Sequence, residues 1–186
     1  MKGVRLLVLL VMSSLVTASQ AQQIWKAGYV LTATGDTMKG EIKVNPKKEF
    51  DFYSRVTLKK SEEEKKSFTP AKAKEFCFDG TRFVSRPVEG EESFVKCLSC
   101  GAINLYEHQY EWQSGNSIVY KSEYFIEKAD SKEMIRVKSM HFKKIVDDYM
   151  GDNAELVKDV HDKKYDFDQL TEVVQQYNTW VKSQKG

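Results

Sequence analysis

Histidine is scarce in this sequence, and the motifs in which histidine or serine usually carries out catalysis are absent. Only His108, His141 and His161 occur among 186 residues. There is no H-E-x-x-H zinc-protease motif and no G-x-S-x-G nucleophile turn. These absences exclude the hydrolase families that such motifs define. A hydrolase with a dispersed site stays open, because catalytic groups are brought together by folding and not by sequence order.

An excess of charge of one sign and a long apolar run are also missing after residue 21. Without residues 1–21, 27 basic residues oppose 27 acidic residues, and the formal charge is zero. Nucleic-acid-binding proteins need a net basic surface, so a neutral chain argues against that class. No later segment is apolar over the roughly 20 residues that a membrane helix requires. The sequence therefore predicts no nucleic-acid partner and no membrane span.

Residues 1–21 have the three-part pattern of a cleavable secretory signal peptide. A short basic segment precedes the apolar residues 6–12, and Ser19 and Ala21 occupy the −3 and −1 positions of a cut after residue 21. A buried N-terminal helix and an uncleaved anchor are the alternatives. No cysteine lies near the cut, which argues against a lipoprotein. We therefore expect an exported chain, periplasmic or secreted and soluble.

Residues 22–138 are predicted to form a β domain. Apolar and polar residues alternate in 29–33 and 38–44 around Gly35-Asp36, which indicates a hairpin. Further short strands are predicted within 50–58 and at 76–78, 82–85, 93–99, 102–107, 117–121, 124–128 and 134–137. Short strands separated by turns favour an antiparallel meander, either open or closed into a barrel.

Residues 139–186 have the period of helices, and we expect them to form a three-helix subdomain packed on the β domain. The first helix is predicted to end at Gly151. Asp152-Asn153-Ala154-Glu155 resembles a capping box that begins a second helix, and Asp166 begins the third in the same way. The predicted fold class is therefore α+β.

Cys97 and Cys100 form a C-x-x-C pair at a predicted strand end. A zinc site would need Cys77 and His108 as further ligands from separate strands, and a redox pair would need a βαβ setting that is missing here. A disulfide or incidental free thiols are the alternatives. We expect a bridge from Cys77 to a neighbouring strand to be less strained than Cys97–Cys100, because residues three apart on an extended strand are too distant. No catalytic, metal or cofactor site is assigned.

Aromatic residues are concentrated in the later strands. They could line a ligand groove, and core packing together with a half-exposed sheet face explains them equally well. They are Tyr106, Tyr110, Trp112, Tyr120, Tyr124 and Phe125.

An ordered set of motifs resembles a family of exported, uncharacterised proteins from Bacteroidetes-type bacteria. The motifs are Gly-Tyr-Val-Leu-Thr at 28–32, Gly-Asp-Thr-Met-Lys-Gly at 35–40 and Tyr-Asn-Thr-Trp at 177–180, and the resemblance covers most of the chain after residue 21. It implies export and a common fold, and it supplies no activity or site residue. At Cys97 and Cys100 the family pattern has aliphatic and acidic residues, which argues against a shared cysteine site.

The expected function is that of a non-enzymatic envelope protein that binds a protein or a small molecule. The export signal, the neutral charge and the lack of a catalytic motif support it. One alternative is a hydrolase with a dispersed site around His108. The other is a metal or thiol protein that uses Cys77, Cys97 and Cys100.

Overall fold

One antiparallel sheet of ten strands makes up most of the protein, whose computed structural model describes residues 24–46, 48–131 and 133–184. The strands are β1 (Ile24–Thr32), β2 (Thr37–Val44), β3 (Val56–Lys59), β4 (Lys65–Phe68), β5 (Ala73–Phe78), β6 (Thr81–Val88), β7 (Glu91–Ser99), β8 (Ile103–Ser114), β9 (Ser117–Lys128) and β10 (Ile135–Val137). The helices that follow are α1 (Phe142–Met150), α2 (Ala154–His161) and α3 (Leu170–Gln184). A sheet followed by helices confirms the predicted α+β class. The predicted signal peptide, residues 1–21, lies outside the described residues.

Strands that are consecutive in the chain are neighbours in the sheet, with one exception. The order is β10-β9-β8-β7-β6-β5-β1-β2-β3-β4, and each pair is antiparallel. Strand β1 lies inside the sheet, where Tyr29 faces Lys39 of β2 on one side and Cys77 of β5 on the other. Two meanders, β1–β4 and β5–β10, are thus joined side by side. The order ends at β10 and β4, so the sheet is open and not closed into a barrel.

The strand predicted within residues 50–58 is confirmed as β3, but it fills only the end of that range. Glu49–Tyr53 forms a short 3-10 helix, and β3 begins only at Val56. The adjacent Phe52 and Tyr53 are both buried. Successive side chains of a strand point to opposite faces, whereas a tight helical turn lets two adjacent aromatic rings reach the same core.

The sequence predicts three short strands at 102–107, 117–121 and 124–128, and both their number and their lengths are wrong. The structure has two strands of 12 residues, β8 and β9, which pair without interruption from Ile103 opposite Lys128 to Ser114 opposite Ser117. Residues 111–122 are exposed on both faces of this hairpin. Their sequence consequently lacks the alternation of apolar and polar residues by which a half-buried strand is recognised.

Stacked phenylalanine rings form the core beneath the first half of the sheet. Phe76 and Phe83 are parallel with ring centroids 4.7 Å apart, and Phe94 meets Phe76 edge-on at 4.9 Å. Phe52 closes this cluster from the 3-10 helix at 5.4 Å from Phe83. Both offset stacking and edge-on contact suit the charge distribution of aromatic rings, so the cluster fixes the 3-10 helix on the sheet.

The helices pack on the other end of the sheet, over β8, β9 and β10. This second core contains Ile103, Leu105, Ile126, Val137, Phe142, Ile145, Val146, Met150, Leu156, Val160, Leu170, Val173, Val174 and Tyr177. No helix in the described part of the chain is long and apolar enough to cross a membrane.

Side-chain caps begin the last two helices as the sequence predicts, with one shift. Asp166 and Gln169 form the predicted capping box before α3. For α2 the cap is Asn153, whose Oδ1 accepts from the Leu156 amide at 3.1 Å. Asp152 instead accepts from the Tyr177 hydroxyl at 3.1 Å. This hydrogen bond ties α3 to the turn between α1 and α2.

Candidate functional site

The hairpin β8–β9 extends beyond both of its neighbours in the sheet. Strand β7 pairs with β8 only as far as Glu107, and β10 pairs with β9 only from Tyr124 to Ile126. Residues 108–114 and 117–123 therefore pair only with each other in the described structure. The β8 segment lies against the 3-10 helix at His108, whereas the outward backbone N–H and C=O groups of residues 117–123 have no strand partner and are placed to accept an added strand.

Four large apolar side chains are exposed on this hairpin, and we call them the hairpin patch. Trp112, Ile118, Val119 and Tyr120 are 49%, 64%, 39% and 57% exposed. Trp112 lies opposite Val119 on one face of the hairpin. Ile118 and Tyr120 share the other face, because side chains alternate along a strand. Each face thus has two exposed apolar side chains next to each other, and exposed apolar side chains grouped in this way are typical of a binding site.

Two contacts hold the aromatic rings of the patch in place. The Lys121 ammonium lies 4.3 Å from the centre of the Trp112 ring, a cation–π contact. The Phe50 ring, on the 3-10 helix, lies 4.8 Å from the Tyr120 ring. Both aromatic side chains thus have restricted freedom before any partner arrives, which lowers the entropy lost on binding.

His108 lies at the base of the hairpin, beside Ser93 and Tyr53. Ser93 Oγ is 3.0 Å from His108 Nε2 and also donates to the Tyr53 carbonyl at 2.9 Å. His108 Nδ1 is buried without a hydrogen-bond partner. Burial lowers the pKa of His108, so its imidazole is neutral at pH 7. A serine–histidine pair acts as a nucleophile when a third group orients the second ring nitrogen, and no such group contacts Nδ1 here.

The cysteines pair differently from our expectation. Cys97 and Cys100 form a disulfide with their Cα atoms 6.5 Å apart, and Cys77 is free. A register shift in β7 between Cys97 and Ser99 shortens the distance that a regular strand would impose. The expected bridge from Cys77 does not form. Cys77 lies on β5 and Cys97 on β7, and β6 runs between these two strands.

The zinc candidates are not brought together. His108 contacts Ser93 and Tyr53, while Cys97 and Cys100 bond to each other. Among the residues that the structure describes, no three His, Cys, Asp or Glu side chains are arranged to hold a metal ion. Burial, and then the charge of Glu75, raise the pKa of the Cys77 thiol, so this cysteine is a poor nucleophile at pH 7.

Compared with known protein families, curated proteins and solved structures, the chain has no match. The resemblance to exported Bacteroidetes-type proteins therefore stays a prediction.

A buried ion pair that the sequence pattern did not predict lies on the face of β8 and β9 that points away from the helices. Glu127 is 5% exposed and accepts from Arg86 Nη2 at 3.0 Å, from the Tyr106 hydroxyl at 2.7 Å and from Asn104 Nδ2 at 3.4 Å. Burial by itself would raise the pKa of Glu127, but the hydrogen bonds from Arg86 and Tyr106 outweigh it and lower this pKa. Arg86 Nε donates to the other carboxylate oxygen at 3.2 Å, so both oxygens of Glu127 have donors and the ion pair has a structural role.

An acidic cleft of about 540 Å³ lies between α1, the turn after it and the end of β9. Three of its carboxylates already have a hydrogen-bonding or ion-pair partner within the protein. Asp147 is 2.8 Å from His161 Nε2, Asp148 is 2.8 Å from Lys144, and Asp152 accepts from Tyr177. The cleft therefore has no convergent set of free acids for catalysis or metal binding.

The predicted aromatic set divides between core and surface. Tyr106 and Phe125 are buried, and Tyr124 packs edge-on against Phe167 beside the helices. Trp112 and Tyr120 are exposed on opposite faces of the hairpin and line no common groove. The Gly115-Asn116 pair was the available signal for this hairpin, since such a dipeptide favours a two-residue turn.

Proposed function

We propose that this chain is an exported binding protein, which takes an extended segment of a partner protein as an added strand on the β8–β9 hairpin. The observation that supports the proposal is the hairpin patch, Trp112, Ile118, Val119 and Tyr120, on a hairpin whose outer edge at residues 117–123 has no strand partner. Backbone hydrogen bonds to a free edge give affinity, and side-chain contacts on alternate faces give selectivity.

The arrangement of the patch favours an extended peptide over a small molecule. The exposed side chains lie on both faces of a two-stranded hairpin, and a small ligand could contact only one face at a time. A strand added beside β9 places its own alternating side chains next to Ile118 and Tyr120 on one face and next to Val119 on the other. Residues 108–114 and 117–123 carry two acids, Glu111 and Glu123, and one base, Lys121. Glu123 already pairs with Arg136, so the partner segment needs no strong charge.

Two features support an extracytoplasmic location for this binding. Residues 1–21 have the order of basic, apolar and small residues that signal peptidase recognises. The Cys97–Cys100 disulfide persists in an oxidising compartment, whereas cytosolic thiols are kept reduced.

Selection of peptides from a random library displayed on phage tests the proposal. We expect the selected peptides to alternate apolar with polar residues, and synthetic copies to protect the amides of residues 117–123 from hydrogen exchange. Ile118→Lys should weaken their binding about tenfold, since burial of an isoleucine contributes roughly 1.5–3 kcal/mol. Met140→Lys is the matched control, because Met140 is an exposed apolar residue, 79% accessible, in the helical region.

Two results would overturn the proposal. One is that the selected peptides protect a different segment, or that Met140→Lys weakens binding as much as Ile118→Lys. The other is a dimer of the free protein in sedimentation that dissociates in Ile118→Lys. That result would identify a second copy of the chain, and not another protein, as the occupant of the edge.

A further inference from the structure

A cleft with a concentration of positive charge lies at the opposite end of the sheet from the helices, where the chain passes from β2 to β3. Its volume is about 430 Å³, within the range of small-molecule sites. It is lined by Lys43, Asn45, Lys48, Asp51, Phe52, Ser54, Arg55 and Thr57. Three side chains in this lining are cations, and one is an acid.

The three cations of the cleft have no acidic partner among the described residues, whereas two lysines on nearby strands do. Lys59 lies 2.8 Å from Glu41 and 2.7 Å from Glu62, and Lys96 forms an ion pair with Glu49. Within the described chain, no ion pair involves Lys43, Lys48 or Arg55. A chain that is neutral after residue 21 thus has a local excess of positive charge.

The backbone of the cleft is held by hydrogen bonds. The Lys48 amide donates to the Asn45 carbonyl at 2.9 Å, and the Asp51 amide donates to the Lys48 carbonyl at 3.1 Å. The Arg55 amide donates to the Asp51 carbonyl at 3.0 Å, which closes the turn after the 3-10 helix. Phe52, 5% exposed, anchors this helix in the phenylalanine core. Lys48 and Arg55 therefore lie on either side of a hydrogen-bonded helical turn that is anchored in the core.

We propose that this cleft binds a phosphate monoester. A guanidinium can donate two parallel hydrogen bonds to one phosphate, which Arg55 would supply, and Lys43 and Lys48 would add further positive charge from the same lining. The hydroxyls of Ser54 and Thr57 also lie in the lining, but they already bond to the Asp51 carbonyl at 3.2 Å and to Ser67 Oγ at 2.9 Å, so the three cations carry the recognition. Three positive charges and the negative charge of Asp51 leave a net charge of about +2, which matches a ligand with a charge near −2. A cleft of this volume suits a phosphorylated small molecule or a single lipid headgroup and is too small for a nucleic-acid chain.

Calorimetric titration of the full chain with glycerol 3-phosphate, at low and at physiological salt, tests the assignment. We expect binding that weakens as salt rises, because exposed charges are screened. Arg55→Gln should weaken it about tenfold or more, the effect of a lost charge-assisted hydrogen bond. Lys39→Gln is the matched control, because Lys39 is an exposed lysine on β2 outside the cleft.

Vesicles distinguish the two sources of the phosphate. Phosphatidylcholine vesicles with and without phosphatidic acid, which carries a phosphate monoester, are compared in a flotation assay. Binding of glycerol 3-phosphate indicates a soluble ligand, and Arg55-dependent binding only to vesicles with phosphatidic acid indicates a headgroup. No binding to either probe, or equal losses in Lys39→Gln and Arg55→Gln, would overturn the proposal. Because the cleft and the hairpin patch share no residue, this outcome leaves the hairpin proposal standing.

Discussion

Replacing Asn178 by alanine should loosen the attachment of α3 to the sheet. Asn178 Oδ1 accepts from the Ile103 amide at 2.9 Å, and its Nδ2 donates to the Ile103 carbonyl at 2.8 Å and to Ser99 Oγ at 3.0 Å. The side chain thus pairs with the backbone of β8 as a neighbouring strand would. Gly101 leaves room for it, since a Cβ at that position would lie 2.6 Å from Asn178 Cγ.

The expected loss of stability is about 3 kcal/mol. Each hydrogen bond contributes about 1 kcal/mol net, and a buried backbone group that loses its partner costs about 1–3 kcal/mol. Ile103 is 1% exposed, so water cannot replace the asparagine at its amide and carbonyl. For a domain of this size the midpoint of thermal unfolding should fall by about 6–12 °C.

Denaturant unfolding of residues 22–186, followed by circular dichroism, gives the free energy directly. Gln175→Ala is the control, because Gln175 is exposed on the same helix and alanine has a similar or better helix propensity. The control should change the free energy of unfolding by less than about 0.5 kcal/mol. A loss below about 1 kcal/mol for Asn178→Ala would refute the reasoning, because water or a shift of α3 would then have satisfied Ile103.

Two further predictions concern buried charge and the disulfide. Glu127→Gln should destabilise the protein by about 3 kcal/mol at pH 7, because Arg86 loses its partner beside a low-dielectric core. In the parent protein the lowered pKa of Glu127 contributes stability that is complete above about pH 4.5 and is lost as the pH falls below it. Denaturant titrations across this range should show that the free energy of unfolding falls less with acid in the variant than in the parent. An equal dependence on pH in both proteins would contradict the ion pair. Alkylation of the denatured chain should label one thiol, Cys77, without reductant and all three cysteines after reduction. If periplasmically produced protein had three labelled thiols without reductant, the Cys97–Cys100 bridge would be contradicted. Replacing both bridged cysteines with serine should lower the free energy of unfolding by about 2 kcal/mol at most, since the closed loop is short.

The parts of the fold that one local rule determines were predictable. The hairpin around Gly35-Asp36 combines a turn signal with alternation on both sides, and the structure confirms it as β1 and β2. The capping box at Asp166 likewise marks the start of the last helix. In these places the local preference and the final fold agree, so the sequence alone is sufficient.

The candidate site was not predictable, because it depends on what its neighbours leave uncovered. Trp112 and Tyr120 are large aromatic residues of a kind that is usually buried. They are exposed because β7 and β10 stop pairing with the hairpin before these two positions. The clustering of the cations in the cleft could not be predicted for a similar reason. Lys43, Lys48 and Arg55 lie on segments that the 3-10 helix brings together, and the sequence pattern had predicted a strand there.

The interior position of β1 sets the order in which the sheet can assemble. Its partner β2 follows within a few residues, so this hairpin can form early and locally. The other edge of β1 must wait for β5, because Tyr29 and Cys77 are distant in the chain and non-local pairing is slow. Until then the growing chain exposes an unpaired apolar strand. A chain that crosses a membrane unfolded, N-terminus first, would expose that edge outside the cytoplasm before its complement arrives, and this interval is when a chaperone or an aggregating neighbour has access to it.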